Sequence, residues 1–250
     1  MGGTEVLDVR SVGFTPVKGT RHVPQPEASF DADGPVGDRL YCLVDTERRR
    51  VLKTVQNPSL LAVEARWDGT TLALATPDGP TVRAVPEPAG ETLVCSYWGR
   101  PVELALLDGP HAGLLSQWLG RPVRLALAPR GCVVYGAPVT LVATASLDDL
   151  GGRAGHPDLV AEASRFRATF VVETEVPYVE ETWSGREVVA DGVRLRVGAA
   201  VPRCAVVDLD PDTGRRGSGV LKALAAYRPG NAAGEPYFGV YAEVVEASAR

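Results

Sequence analysis

Twenty-seven glycines and twenty prolines, scattered without a period through 250 residues, limit what this chain can fold into more than any other feature of it. Glycine weakens helix interiors and proline breaks them. A helical bundle or coiled coil is therefore excluded, and many short strands joined by turns remain. Hydrophobic residues make up 45% of the chain, a globular composition and too high for a disordered one. The length accommodates one large domain or two modest ones. A net charge of −5 argues against a general nucleic-acid binder. No run approaches the roughly 20 uninterrupted apolar residues of a membrane helix. The start Met1-Gly2-Gly3-Thr4-Glu5 lacks the basic-then-apolar pattern of a leader, and Val6 stands where a myristoylation signal needs Ser or Thr. A cytoplasmic protein with neither nucleic-acid nor membrane partners is expected.

Residues 5–9 and, less regularly, 51–55 alternate polar and apolar, as half-buried strands do. Asp33-Gly34, Asp68-Gly69 and Asp78-Gly79 mark turns, and 71–75 and 92–95 are apolar runs of strand length. A helix is predicted over 111–119, with Leu114, Leu115, Trp118 and Leu119 on one face and Gly120 as its stop. Pro129-Arg130-Gly131 is the candidate boundary, dividing the chain into 1–128 and 129–250. Beyond it, strands are predicted at 139–142, 170–172, 193–197, 205–209 and 237–245. A short helix at 146–150 has Ser146 as its cap and Asp149 three residues on. A second helix at 220–227 is closed by Pro229-Gly230. The expected class is mainly β with short helices (α+β).

The four cysteines, Cys42, Cys95, Cys132 and Cys204, form no CxxC pair, which argues against zinc or iron–sulfur sites of the usual spacing. Pro202-Arg203-Cys204 is the most suggestive local arrangement. A thiol acts as nucleophile or metal ligand only as thiolate, a form that neighbouring cations favour; equally, a free cysteine at a strand start serves as a small buried hydrophobe. Asp210-Pro211-Asp212-Thr213-Gly214 has the chemistry of a type I turn, with oxygens that can also face a cation. Lys18, Arg39, Arg165 and Arg167 each lie beside a turn or strand start. Together they suit a phosphate-bearing ligand; singly they suit surface ion pairs. Arg48-Arg49-Arg50 reads as a solvated turn. His22, His111 and His156 share no ligand spacing, and no nucleophile elbow, dinucleotide fingerprint or Walker loop occurs. Glu180-Glu181, read as strand residues, point to opposite faces and so do not form an acid–base pair.

Ordered along the chain, Pro16-Val17-Lys18-Gly19, Gly37-Asp38-Arg39-Leu40-Tyr41 and Asn57-Pro58 resemble the N-terminal β-barrel domain that precedes MOSC domains. Arg165-Phe166-Arg167, Glu180-Glu181, Pro202-Arg203-Cys204, Asp210-Pro211-Asp212-Thr213-Gly214, Tyr227-Arg228 and Phe238-Gly239 are similar to the MOSC domain itself. The resemblance implies an N-terminal β-barrel-like domain packed on a MOSC β-barrel domain, with the molybdenum cofactor (Mo-molybdopterin) between them. It makes Cys204 the molybdenum ligand, and Lys18, Arg39, Arg167 and Arg203 the holders of pterin and phosphate. It also carries a family-level association with pyridoxal phosphate. The implied activity is reduction of N-hydroxylated compounds with electrons from an external flavoprotein or iron–sulfur protein, and Asp210 is a candidate proton donor. The alternatives are a sulfur carrier with a persulfide on Cys204, or a descendant that has lost the cofactor and uses the same cleft for another reaction. The departures from the family pattern are Gly37 for an arginine, Ala168-Thr169 for Pro-Asn, Val55 for an arginine, and Tyr135-Gly136-Ala137 without hydroxyls around the glycine. The strand that often closes the domain is expected to be missing after Arg250.

Overall fold

The computed structural model describes residues 4–77 and 79–247. Met1-Gly2-Gly3, Asp78 of the expected Asp78-Gly79 turn, and 248–250 with Arg250 lie outside the described residues. Two β systems make up the molecule. A closed five-stranded barrel runs in the order Glu87–Tyr97, Arg100–Asp108, Arg124–Leu127, Tyr41–Asp45, Arg50–Val51. The strand Tyr41–Asp45 is buried along its whole length because its alternating faces serve two cores. Cys42 and Val44 pack with Cys95, Tyr97 and Leu104, while Tyr41 and Leu43 pack with Leu60, Leu72 and Leu115. Helix α1 (Pro110–Leu119) ends on Gly120 in the left-handed conformation (φ 66°), and Glu64–Trp67, Leu72–Ala75 and Thr81–Ala84 form a small sheet.

The other system is an eight-stranded sheet in the order Glu5–Leu7, Glu187–Ala190, Val193–Pro202, Tyr237–Glu246, Val139–Ala143, Phe170–Val172, Val9–Phe14, Val23–Gln25. Three of its strands come from the first 25 residues. Glu5–Leu7 pairs in parallel with Glu187–Ala190, and Val9–Phe14 runs antiparallel to Phe170–Val172. The chain thus begins in the sheet of its second half and then crosses to the barrel, and Lys18 and Arg39 lie on that crossing. Helices α2 (Thr144–Ala154) and α3 (Val220–Tyr227) cover the sheet through Leu147, Leu150, Phe166, Leu224 and Phe238. The fold is mainly β, with three α-helices among the described residues.

Four local expectations are corrected. Residues 53–55 do not extend a strand: Thr54–Gln56 is a 3-10 turn, because Asn57 donates from its backbone to the Lys53 and Thr54 carbonyls and from Nδ2 to Lys53 again (2.9 Å). Residues 205–208 also form a 3-10 turn, closed when Val207 N donates to the Cys204 carbonyl. Asp208 there accepts from Leu221 N (2.8 Å) in the first turn of α3. Ser146 is no cap, since α2 starts two residues earlier. Its hydroxyl instead donates to the buried Glu180 carboxylate (2.8 Å) and accepts from Tyr178 N (2.7 Å). Glu180 and Glu181 lie on the 3-10 turn Val179–Trp183, not on a strand; Glu180 is buried and Glu181 is ion-paired with Arg228.

Candidate active site

Between the barrel and the large sheet lies a cavity of about 200 Å³. The crossing segment contributes Lys18 and Arg39, the barrel Tyr97 and Trp98, and the 3-10 turn Lys53 to Val55. From the second half come Tyr135, Arg165 to Arg167, and Pro202-Arg203-Cys204. Five of the six residues singled out from the sequence as catalytic or cofactor-binding therefore share one cavity. Asp210 does not line it. Its Oδ1 accepts from Asp212 N, Thr213 N and Thr213 Oγ1 at 2.7 to 3.1 Å, so the carboxylate organises the turn.

Local backbone explains how these side chains reach one place. Arg39 (φ 46°) and Arg167 (φ 53°) both occupy the left-handed region, where an arginine costs of order 1 kcal/mol. Gly37 (φ 97°) precedes Arg39, and a Cβ there would meet the Trp67 ring at 3.0 Å, so the arginine of the family pattern has no room at this position. Ala168 and Thr169 are likewise committed. The Ala168 carbonyl accepts from His22 Nε2 (3.0 Å), and Thr169 exchanges two bonds with Thr140 at 3.2 Å. Arg203 enters from the end of a sheet strand. Its Nε donates to the Phe238 carbonyl and Nη1 to the Phe166 carbonyl, both 2.8 Å, while the buried Nη2 has no partner. Cys204 follows directly as a free, partly exposed thiol.

The electrostatics are one-sided. Asp38 pairs with Arg39 (2.5 Å), but among the described residues no carboxylate is ion-paired with Lys18, Arg167 or Arg203. Arg167 Nη1 donates to the Thr20 carbonyl (2.8 Å). The Lys18 ammonium lies 4.7 Å from the centre of the Tyr97 ring. Burial, followed by the charges of Arg39 and Arg167, pulls Lys18 down from 10.5 to about 7. Burial, then Arg39, lowers Arg167 to about 10, and burial lowers Arg203 to about 10. His22, behind this group, is held well below the usual histidine range by burial and then by Arg167 and Arg39, so its ring is neutral. A carbonyl only accepts, so Nε2 carries the proton and the unpartnered Nδ1 is a lone pair.

Sequence reasoning missed Tyr97, Trp98 and Tyr135 as cavity walls. The only linear signal was the Trp98-Gly99 pair between two alternating runs, a hairpin turn that ties Trp98 to the mouth. Arg165, grouped in the sequence with Arg167, also reaches the wall, but its guanidinium is held by Glu162 and by the Val207 and Leu209 carbonyls. No group of three or more His, Cys, Asp or Glu able to hold a metal ion occurs among the described residues, so protein-derived metal ligation here falls to the thiol.

Comparison with known proteins agrees with this architecture. Residues 6–121 match the MOSC N-terminal beta barrel domain and 122–249 match the MOSC domain. Mitochondrial amidoxime-reducing component 1 of Homo sapiens is 27% identical, over 90% of this chain and 73% of that protein. Its namesake from Xenopus laevis is 26% identical, over 84% of this chain and 69% of the relative. A Bordetella bronchiseptica protein solved in solution aligns with 46% of this chain and 97% of its own, at 12% identity and a TM-score of 0.32, too low a likeness to inform fold or function. With both halves of its architecture matched end to end, the chain belongs to the MOSC family, alongside relatives named for amidoxime reduction.

Proposed function

We propose that this cavity holds the molybdenum cofactor and that the protein reduces N-hydroxylated compounds with electrons from an external donor. The observation that carries the reading is the meeting of Lys18, Arg39, Arg167 and Arg203 with one free thiol in a single cavity, with only Arg39 paired to a carboxylate. Such a cluster repels itself until an anion enters, and a pterin phosphate with a dithiolene supplies that charge. The residues present fit the group in two further respects. The buried Nη2 of Arg203 is a donor with no acceptor, and Cys204 offers a soft sulfur ligand, the kind that suits a redox metal.

In this reading Lys18 and Arg39, from the crossing segment, and Arg167 and Arg203, from the second half, clamp the anionic parts of the cofactor by charge-assisted hydrogen bonds. Cys204 binds the metal. When bound, the cofactor supplies the two-electron couple needed to break an N–O bond. Converting an amidoxime to an amidine consumes two electrons and two protons and releases water. Lys18, pulled to about 7, is the cavity group able to hold or release a proton near neutral pH. Tyr97 and Trp98 wall the site against bulk water.

Benzamidoxime reduction driven by reduced methyl viologen tests the proposal, with protein made in a host that synthesises the cofactor. Benzamidine should form with the natural chain and not with Cys204→Ala, whose circular dichroism should be unchanged. Equal turnover by the two proteins would refute the role given to Cys204.

A further inference from the structure

The cavity mouth carries a charge pattern opposite to that of the molecule. The whole chain has a net charge of −5, yet Arg49, Arg50, Lys53, Arg100 and Arg216 gather around this opening. Each is tied to a rim element. The Arg49 carbonyl accepts from Ser96 N (2.8 Å), Arg50 pairs in register with Ser96, and Arg100 pairs with Tyr97 across the hairpin. The Lys53 ammonium sits 3.5 Å from the centre of the Trp98 ring, and Arg216 Nη2 donates to the Val55 carbonyl (3.3 Å). Among the described residues none of these five is ion-paired with a carboxylate; the neighbouring Arg48 is, with Asp45. Glu47 is the acidic residue in the same turn.

Inside this ring two large aromatics face solvent. Trp98 is 47% exposed and Tyr135 50%, their ring centres are 5.4 Å apart, and both line the cavity. Trp98 sits in left-handed backbone (φ 51°), so the hairpin holds it outward at a conformational cost. Exposed aromatic anchors ringed by arginine have the composition of an interface centre, and a local basic field steers an acidic protein toward it.

We propose that this basic, aromatic-centred rim is the docking surface for a small acidic electron-transfer protein, which brings its redox centre to the cavity mouth. This inference rests on the redox reading of the cavity, since it supplies the partner that reading requires. A docked carrier buries Trp98 and Tyr135, pairs its carboxylates with Arg49, Arg50 and Arg100, and binds more weakly as salt screens those pairs.

The test uses a plant-type [2Fe–2S] ferredoxin as the acidic probe and the full-length protein, with binding measured by biolayer interferometry. Affinity should fall about tenfold in Arg49→Glu/Arg50→Glu and also between about 50 and 300 mM salt, as expected of rim charges. Trp98→Ala should weaken binding by a similar factor at constant salt dependence. Absence of binding to the natural protein, or binding indifferent to both salt and charge reversal, overturns the proposal. Viologen-driven amidoxime reduction is assayed in parallel and should be unchanged in Arg49→Glu/Arg50→Glu, whose side chains lie outside the cavity. Loss of that activity in the natural protein would count against the redox reading, while the binding result alone decides the docking surface.

Discussion

Lys18 shows how a single residue is shaped for a ligand and not for the fold. Its ammonium is enclosed beside Arg39 and Arg167, and its pKa falls to about 7. In the unfolded chain the same amine has its ordinary value near 10.5. Between those two values the unfolded state binds more protons, so the Lys18 contribution makes stability rise with pH across that window. Lys18→Met should remove this slope and stabilise the cofactor-free protein by about 1–2 kcal/mol, because an unpaired buried charge is replaced by an apolar side chain. Thermal melts from pH 7 to 10 check both points, and an unchanged slope would show that the amine is not enclosed as described. The cationic set was legible in the sequence because each member stands beside a turn. What was not legible was the difference between Arg165 and Arg167, two positions apart. The 3-10 turn aims the first at the Val207 and Leu209 carbonyls, while left-handed backbone at the second turns it toward Thr20.

At the scale of elements, the turn built on Asp210 is a strut between the two halves. Its Gly214 (φ 73°) lies against the barrel turn Pro58–Ala62, where a Cβ would fall 2.0 Å from the Pro58 carbonyl oxygen. Gly214→Ala should cost at least about 2 kcal/mol, combining left-handed strain with that collision, and a urea titration reads it directly. Ser146→Ala should cost about 1–3 kcal/mol by the same measurement, since it strips the buried Glu180 carboxylate of one donor and Tyr178 N of its acceptor. Either variant melting like the natural chain would contradict the account of its element. The expected helices at 111–119 and 220–227 were readable because their apolar spacing and stop residues agree with their tertiary setting. Residues 53–55 and 205–209 misled because a short apolar run has no period long enough to separate a strand from a 3-10 turn. Side chains distant in local pattern, Asn57 and Asp208, decided them.

The molecule as a whole is joined by its first 25 residues, which complete the large sheet before the chain enters the barrel. Nothing in the composition of that segment announces this, because parallel pairing of Glu5–Leu7 with Glu187–Ala190 is a contact between distant parts of the sequence. The two β systems should therefore unfold together, with calorimetric and van't Hoff enthalpies equal; two separated transitions would show that the shared sheet does not couple them. Coupling matters for function because the cavity draws its cations from both sides of that junction. The account's central claim is that these cations and Cys204 hold a molybdenum cofactor. Its most direct test is the molybdenum content, by inductively coupled plasma mass spectrometry, of natural and Cys204→Ala proteins purified from a cofactor-making host. Near-stoichiometric metal in the first and its loss from the folded variant is the predicted result. Molybdenum absent from the natural protein, or retained undiminished without Cys204, would contradict it.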